Sequence, residues 1–229
     1  MPLQNRVSPF GELIADPARG GLFGNRGGKF HRDDKSLGKR RYASKAWICC
    51  VLSFKGRQRD VWGRCYTELF FMDEPTALAA GHRPCFECRR AEATAFAVKF
   101  TGKGKRASAG EMDLRLHRER LAQDGRSKRL HPVSLDDLPD GAFVTLSGGE
   151  SFAVKGKRLL RWSPGGYLES IKRPSGGAMM LTPPAITEVL ARGYAPRWHP
   201  GGLEAALATG KRVLARHAIE FRPQEISFR

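Results

Sequence analysis

Residues 68–90 read ELFFMDEPTALAAGHRPCFECRR, and the fold turns on how this stretch is read. ELFF closes YTELFF (66–71), an apolar and aromatic run short enough for a strand. DEPTALAAG then carries the punctuation of a helix: Asp73 to cap it, Pro75 in its first turn, and Gly81 to take the left-handed closing position. A second helix is expected from Cys88 through CRRAEATAFAVKF, burying either Ala91, Ala95 and Val98 or Ala93, Phe96 and Phe100. Between the helices lies Cys85-Phe86-Glu87-Cys88, a C-x2-C knuckle. Two thiolates at this spacing converge on one tetrahedral ion, and the helix N-terminus favours their negative charge. The same pair also reads as a redox couple or as two buried thiols.

The other cysteines lie upstream: Cys49 and Cys50 in KAWICCVLSF, a β-branched and aromatic run expected to be a buried strand, and Cys65 just before the second strand. Five cysteines, two of them adjacent, fit reduced thiols or thiolate ligands better than a disulfide framework. Cys50, Cys65, Cys85 and Cys88 are the candidate metal ligands, with Cys49 and His82 as alternative donors.

The stretch 68–90 resembles the second half of the zinc domain of the Ada-type DNA methyl-phosphotriester repair family. In that family a strand ending in paired aromatics leads into an Ala-rich helix and a Gly-x-Arg-Pro-Cys-x-x-Cys motif. The residues that match are Gly81, Arg83, Pro84, Cys85 and Cys88. The resemblance implies Zn2+ at Cys85 and Cys88, contact with the DNA backbone, and a zinc-bound thiolate that accepts a methyl group. The chain departs from the family in its first half. The family supplies its other ligands from a C-x3-C pair well before the strand, whereas here Cys49 and Cys50 are adjacent and Cys65 stands alone. Only Cys50 or Cys65 is placed to act as methyl acceptor.

The chain has 229 residues, 40 Lys+Arg against 23 Asp+Glu, and a net charge of +17, a field that attracts polyanions, of which nucleic acid is the commonest inside a cell. The excess is concentrated in residues 1–50, with 10 basic and 4 acidic side chains, and in 151–200, with 8 and 2. No stretch approaches the roughly 20 apolar residues that span a bilayer, and MPLQNRVSPFGELIADPARG lacks a signal pattern, so a cytoplasmic protein without membrane partners is expected.

The remaining organisation follows from turn signals. Residues 1–44, with GNRGGKFHRDDKSLGKRRY, read as a basic, loop-rich arm; residues 45–102 as the zinc domain; and residues 111–229 as an α+β domain, separated by the small, basic TGKGKRASAG at 101–110. The second half opens with the helix EMDLRLHRERLAQ. DGAFVTLSGGESFAVKGKRLLRW, with turns at Ser147-Gly148-Gly149 and Lys155-Gly156-Lys157, predicts a β-meander in a small sheet or barrel. TPPAITEVLARG reads as a short helix, and a helix at 202–216 and the strand-like AIEF close the chain. The fold class expected is therefore α+β, a small zinc-stabilised sheet-plus-helix unit followed by a meander flanked by helices.

The candidate nucleic-acid contacts are Arg83, Arg89 and Arg90 near the knuckle and Lys155, Lys157, Arg158, Arg161 and Trp162 on the meander, where cations alternate with aromatics able to stack on bases. The function expected is zinc-containing nucleic-acid binding, DNA before RNA, in repair or the handling of modified DNA. A hydrolase or alkyl transferase is the enzymatic alternative, using His117 or His131 with Asp136 or Asp137, or a zinc-bound cysteine. The third alternative is a basic scaffold for acidic proteins or ribosomal RNA.

Overall fold

The computed structural model describes residues 1–58, 60–146 and 149–200. The expected helix at 202–216 and the strand-like AIEF lie outside the described residues, as do Ser147 and Gly148 of the first meander turn. The chain is α+β. Its N-terminal sheet contains β1 (Arg6–Val7), β2 (Leu13–Ile14), β3 (Leu22–Asn25), β4 (Ile48–Cys50), β5 (Leu69–Phe71) and β6 (Arg83–Pro84) in the order β2-β1-β5-β3-β4-β6. The pairs β1–β5 and β4–β6 are parallel, and the other pairs are antiparallel. Residues 1–44 are loop-rich yet supply three of this sheet's strands. Two of those strands are only two residues long, too short for an alternating pattern to announce them.

Helix α1 (Glu74–Ala79) follows β5. Asp73 caps it as the sequence implied, accepting from Thr76 N at 3.0 Å, and Pro75 occupies the first turn. Gly81 closes it with φ +88°; a Cβ there would meet Arg120 Cδ at 2.7 Å. Helix α2 (Arg90–Thr101) starts two residues after Cys88 and buries Ala93, Phe96, Ala97 and Phe100. Helix α3 (Ala109–Arg120) begins with a capping box between Ser108 and Glu111. The segment 101–110 is a tight connection between packed helices, with Ala107 buried and its N–H donating to Ala97 O at 3.0 Å.

The second sheet contains β7 (His131–Ser134), β8 (Phe143–Thr145), β9 (Ser151–Lys155), β10 (Arg158–Ser163), β11 (Gly166–Lys172) and β12 (Gly177–Met180) in the order β11-β10-β9-β8-β12-β7, antiparallel throughout. The expected meander is the run β8–β11. Gly156-Lys157 forms its tight turn, with Gly156 at φ +55°. Helix α4 (Pro184–Ala191) returns to pack beside α2 and α3.

The two sheets share their interior. Phe96, Phe100, Met112, Leu116, Val144, Val154, Ile186 and Val189 form one cluster that joins α2, α3 and α4 to the second sheet. Met72 and Ala79, from the N-terminal half, pack with Phe143, Leu160, Tyr167 and Leu181. Each such large side chain contributes about 1.5–3 kcal/mol when removed from water. Arg26 and Arg120 are among the largest fully buried side chains, each 1% exposed, and this burial of charge marks where function is to be sought.

Candidate functional site

Strand pairing builds a thiol cluster. In β4, Cys50 pairs with Phe23 of β3, while β6 runs parallel to β4 and Cys85 N donates to Cys49 O at 3.0 Å. This places Cys85 next to Cys50, and the turn into α2 brings Cys88 to both. The three Sγ atoms lie within 4.8 Å of one another. A Zn–S bond of 2.3 Å implies sulfurs about 3.8 Å apart in a tetrahedron, so the trio is close enough to supply three corners of such a site. Three close cysteines can hold a metal ion.

Successive residues of a strand face opposite sides, which separates Cys49 from Cys50. Cys49 points into the apolar interior with Leu22, Leu69 and Phe71, and burial pushes its thiol up to about 12. Cys50 faces the knuckle with Phe23 and Cys85. Within the trio the proton distribution is uneven. Cys85 is lowered to about 5, first by the hydrogen bond from Cys50 and then by the N–H groups of Cys88 and Glu87, the latter at 3.3 Å. Cys50 is driven up by donating that hydrogen bond and by burial, and Cys88 is raised chiefly by burial.

Cys65 is exposed and outside the trio, yet it lines the same recess of about 540 Å³ with Cys50, Cys85 and Cys88. His82, the alternative donor, is fully buried elsewhere and packs on Phe71 at 4.6 Å and on Trp47 at 5.0 Å. Beneath the trio, Arg89 Nη1 donates to Cys49 Sγ at 3.2 Å and Nη2 pairs with Glu74 Oε2 at 2.7 Å. Glu74 also accepts from Tyr194 Oη at 2.6 Å and Arg197 N at 2.9 Å.

The candidate nucleic-acid contacts are placed differently from the expectation. Arg83 is buried and held bidentately by Asp113, Nε and Nη2 each at 2.8 Å. Arg89 is buried in the Glu74 pair. On the meander, Lys155 pairs with Asp140, Arg161 with Glu150 and Glu169, Arg158 donates to Ser170, and Trp162 Nε1 donates to Thr76 Oγ1 at 3.1 Å. Arg90 and Lys157 are exposed. A charge count registers cations but not the carboxylates that fold against them, and most of these cations are already matched. Nor does the geometry favour the histidines as general bases: the ring of His117 bonds Arg120 Nη2 at 3.2 Å, and that of His131 bonds Glu119 O at 2.9 Å.

A second cluster, absent from the sequence reading, gathers unmatched cations. Arg26 follows β3, Trp47 precedes β4, His82 follows α1, and Arg120 ends α3. The guanidinium carbons of Arg26 and Arg120 lie 3.8 and 3.9 Å from the centroid of the Trp47 ring. Arg26 donates to His82 Nε2 at 3.3 Å, Arg41 O at 3.2 Å and Gly11 O at 2.8 Å. Arg120 donates to Gly81 O at 3.0 Å and Lys45 O at 2.7 Å, and half-buried Lys128 donates to Ala79 O.

Among the described residues no carboxylate pairs with these three cations; Asp113, whose field reaches Arg120, is held by Arg83. Burial, followed by their mutual repulsion, pushes Arg26 and Lys128 well below their ordinary range. Arg120 Nε and His82 Nδ1 are buried without a hydrogen-bond partner among the described residues. Arg26, Trp47, Arg120 and Lys128 line a cleft of about 730 Å³, with Phe10 and Tyr42 on its walls and Lys39, Arg41 and Arg126 around it. The five central residues are scattered from position 26 to 128, and no spacing announces them.

Comparison of the chain with family models, with curated proteins and with solved structures finds no match.

Proposed function

We propose that this protein binds nucleic acid, DNA before RNA, through the cationic cleft, and that Zn2+ clamps the neighbouring sheet and helix. The observation that carries this reading is the set of buried cations without carboxylate partners among the described residues. Sequestering a charge without a counter-charge costs several kcal/mol, and an anionic ligand offsets that cost when it binds. The cleft is bordered by the exposed cations Lys39, Arg41 and Arg126, with the exposed Arg40 and Lys45 adjoining them in sequence and Arg129 half-buried. Such a rim suits the repeating phosphates of a strand.

Zinc is the metal that suits an all-thiolate tetrahedral site, and Cys65, which lines the same recess but lies outside the trio, would have to move in to supply the fourth thiolate. Its role is structural: Cys50, Cys85 and Cys88 tie β4 to the start of α2, and the chain in between carries His82 and Arg83. Native mass spectrometry should find one zinc per chain, lost in Cys88→Ser; wild-type protein without metal would remove this part of the reading.

The nucleic-acid part is tested by titrating labelled oligonucleotides at several salt concentrations. Log K should fall linearly with log salt, and Arg40→Ala or Arg126→Ala should each reduce the slope by about 0.7 on single strands or about 0.9 on duplex. Absence of binding, or binding indifferent to salt, would overturn it.

A further inference from the structure

We infer that the cleft is an end-binding pocket, taking the terminal phosphomonoester of a nucleic-acid strand against Arg26, Arg120 and Lys128. The inference rests on the nucleic-acid reading and adds to it the part of the strand that is recognised.

Depth is the first argument. Arg26 and Arg120 are 1% exposed. A phosphodiester within a strand carries chain on both sides, and its bulk keeps it at the rim. A terminal phosphate is tethered on one side only and can enter.

Charge is the second. Three cations face the cleft without a carboxylate partner among the described residues, and Glu12, the acidic lining residue, is exposed at its edge. A phosphomonoester brings about −1.5 to −2 charges at pH 7, against −1 for a diester. It also presents three oxygens, which suit two guanidiniums and an ammonium better than the two free oxygens of a diester do.

Hydrogen bonding is the third. Arg26 Nε occupies His82 Nε2, so the neutral ring carries its proton on Nδ1, and the Arg26 side chain is fixed at its base. Arg120 is fixed through Gly81 O and Lys45 O, while its buried Nε has no partner among the described residues. Both guanidiniums lie against Trp47, which orients the two forks and leaves the ring little free surface for stacking.

Size is the fourth. About 730 Å³ falls in the range of sites for small organic ligands and exceeds what a phosphate ion fills. Room remains for the terminal sugar and base, with Phe10 and Tyr42 available for stacking.

The test compares oligonucleotides of one sequence ending in 5′-phosphate, 3′-phosphate or hydroxyl, by fluorescence anisotropy at fixed salt. One phosphorylated end should bind about tenfold or more tightly than the hydroxyl form, the gain expected of a charge-assisted contact. Lys128→Met, at a half-buried position, should reduce that preference, weakening the phosphorylated form by a larger factor than the hydroxyl form, and Arg120→Lys should do the same; an equal loss for both forms would overturn end recognition. Lowering the pH below about 6, where the phosphate takes up its second proton, should also narrow the gap.

Equal affinity for all three ends would overturn end recognition and leave nucleic-acid binding standing. No binding of any oligonucleotide would overturn both. A free nucleoside monophosphate that binds as tightly as the phosphorylated strand would overturn the strand end as the ligand and assign the pocket to the free nucleotide.

Discussion

Replacing Glu74 by Gln exchanges one oxygen for an NH2 group at a site that is almost completely closed to water. The side chains of Glu74 and Arg89 are 1% and 2% exposed, their ion pair is 2.7 Å long, and Glu74 also holds Tyr194 and Arg197 N. The amide keeps the shape but removes the countercharge and turns an acceptor oxygen into a donor. Arg89 then remains buried against Cys49, whose thiol is raised by burial to about 12 and so is neutral, with only the half-exposed Glu92, 3.7 Å from its Nε, as a remaining carboxylate among the described residues. Breaking one side of a buried pair costs about 3–5 kcal/mol, much more than the pair itself contributes over an apolar isostere. At about 2–4 °C per kcal/mol for a chain of this size, Tm should fall by about 6–20 °C.

The assay is thermal and urea unfolding followed by circular dichroism in saturating zinc, for Glu74→Gln, Arg89→Met and the double variant. The double variant should be more stable than the sum of the single losses predicts, because it buries no orphaned charge. Single variants within about 1 kcal/mol of the wild type, or strict additivity, would refute the reasoning.

Three further outcomes are expected. Burial, followed by Arg26, Arg120 and Lys128, holds His82 well below its ordinary range, so below about pH 6.5 the unfolded chain binds a proton that the folded one refuses. Stability should therefore fall with acidity by up to about 1.4 kcal/mol per pH unit. Urea titrations at pH 7.5 and 5.5 should show a smaller acid loss for His82→Gln, and an equal loss would count against this assignment. Gly81→Ala should cost at least about 1–2 kcal/mol and weaken anion binding, since its Cβ would strike Arg120 Cδ; wild-type stability and affinity would contradict the close approach. Cys49→Ser should keep the metal and Cys50→Ser should lose it, as elemental analysis can determine; the reverse pattern would invert the facing of β4.

What the sequence revealed were features written in short-range chemistry. Asp73, Pro75 and Gly81 delimit α1 because caps and closing glycines act within one turn, and Cys85 and Cys88 meet because their spacing alone brings them together. The β8–β11 run was legible from Gly156-Lys157 and the alternation around it. The strands β1, β2 and β6 were not, since two residues carry no period and tertiary pairing creates them.

The cleft was also invisible. Arg26, Trp47, His82 and Lys128 lie in three separate connecting segments and Arg120 at the end of α3, and only the fold shows that no acid among the described residues pairs with the three cations. Conversely, Arg83, Arg89 and Arg161 look like free cations in the sequence because Asp113, Glu74 and Glu169 lie from 8 to 30 residues away and become partners only through folding.

Hydrogen–deuterium exchange on the protein with and without a bound oligonucleotide tests the central claim most directly, because it locates the contact. Protection on binding should appear at residues 39–47 and 120–129, which border the cleft. Protection centred on 155–162, with the cleft segments unchanged, would contradict the account and return binding to the meander.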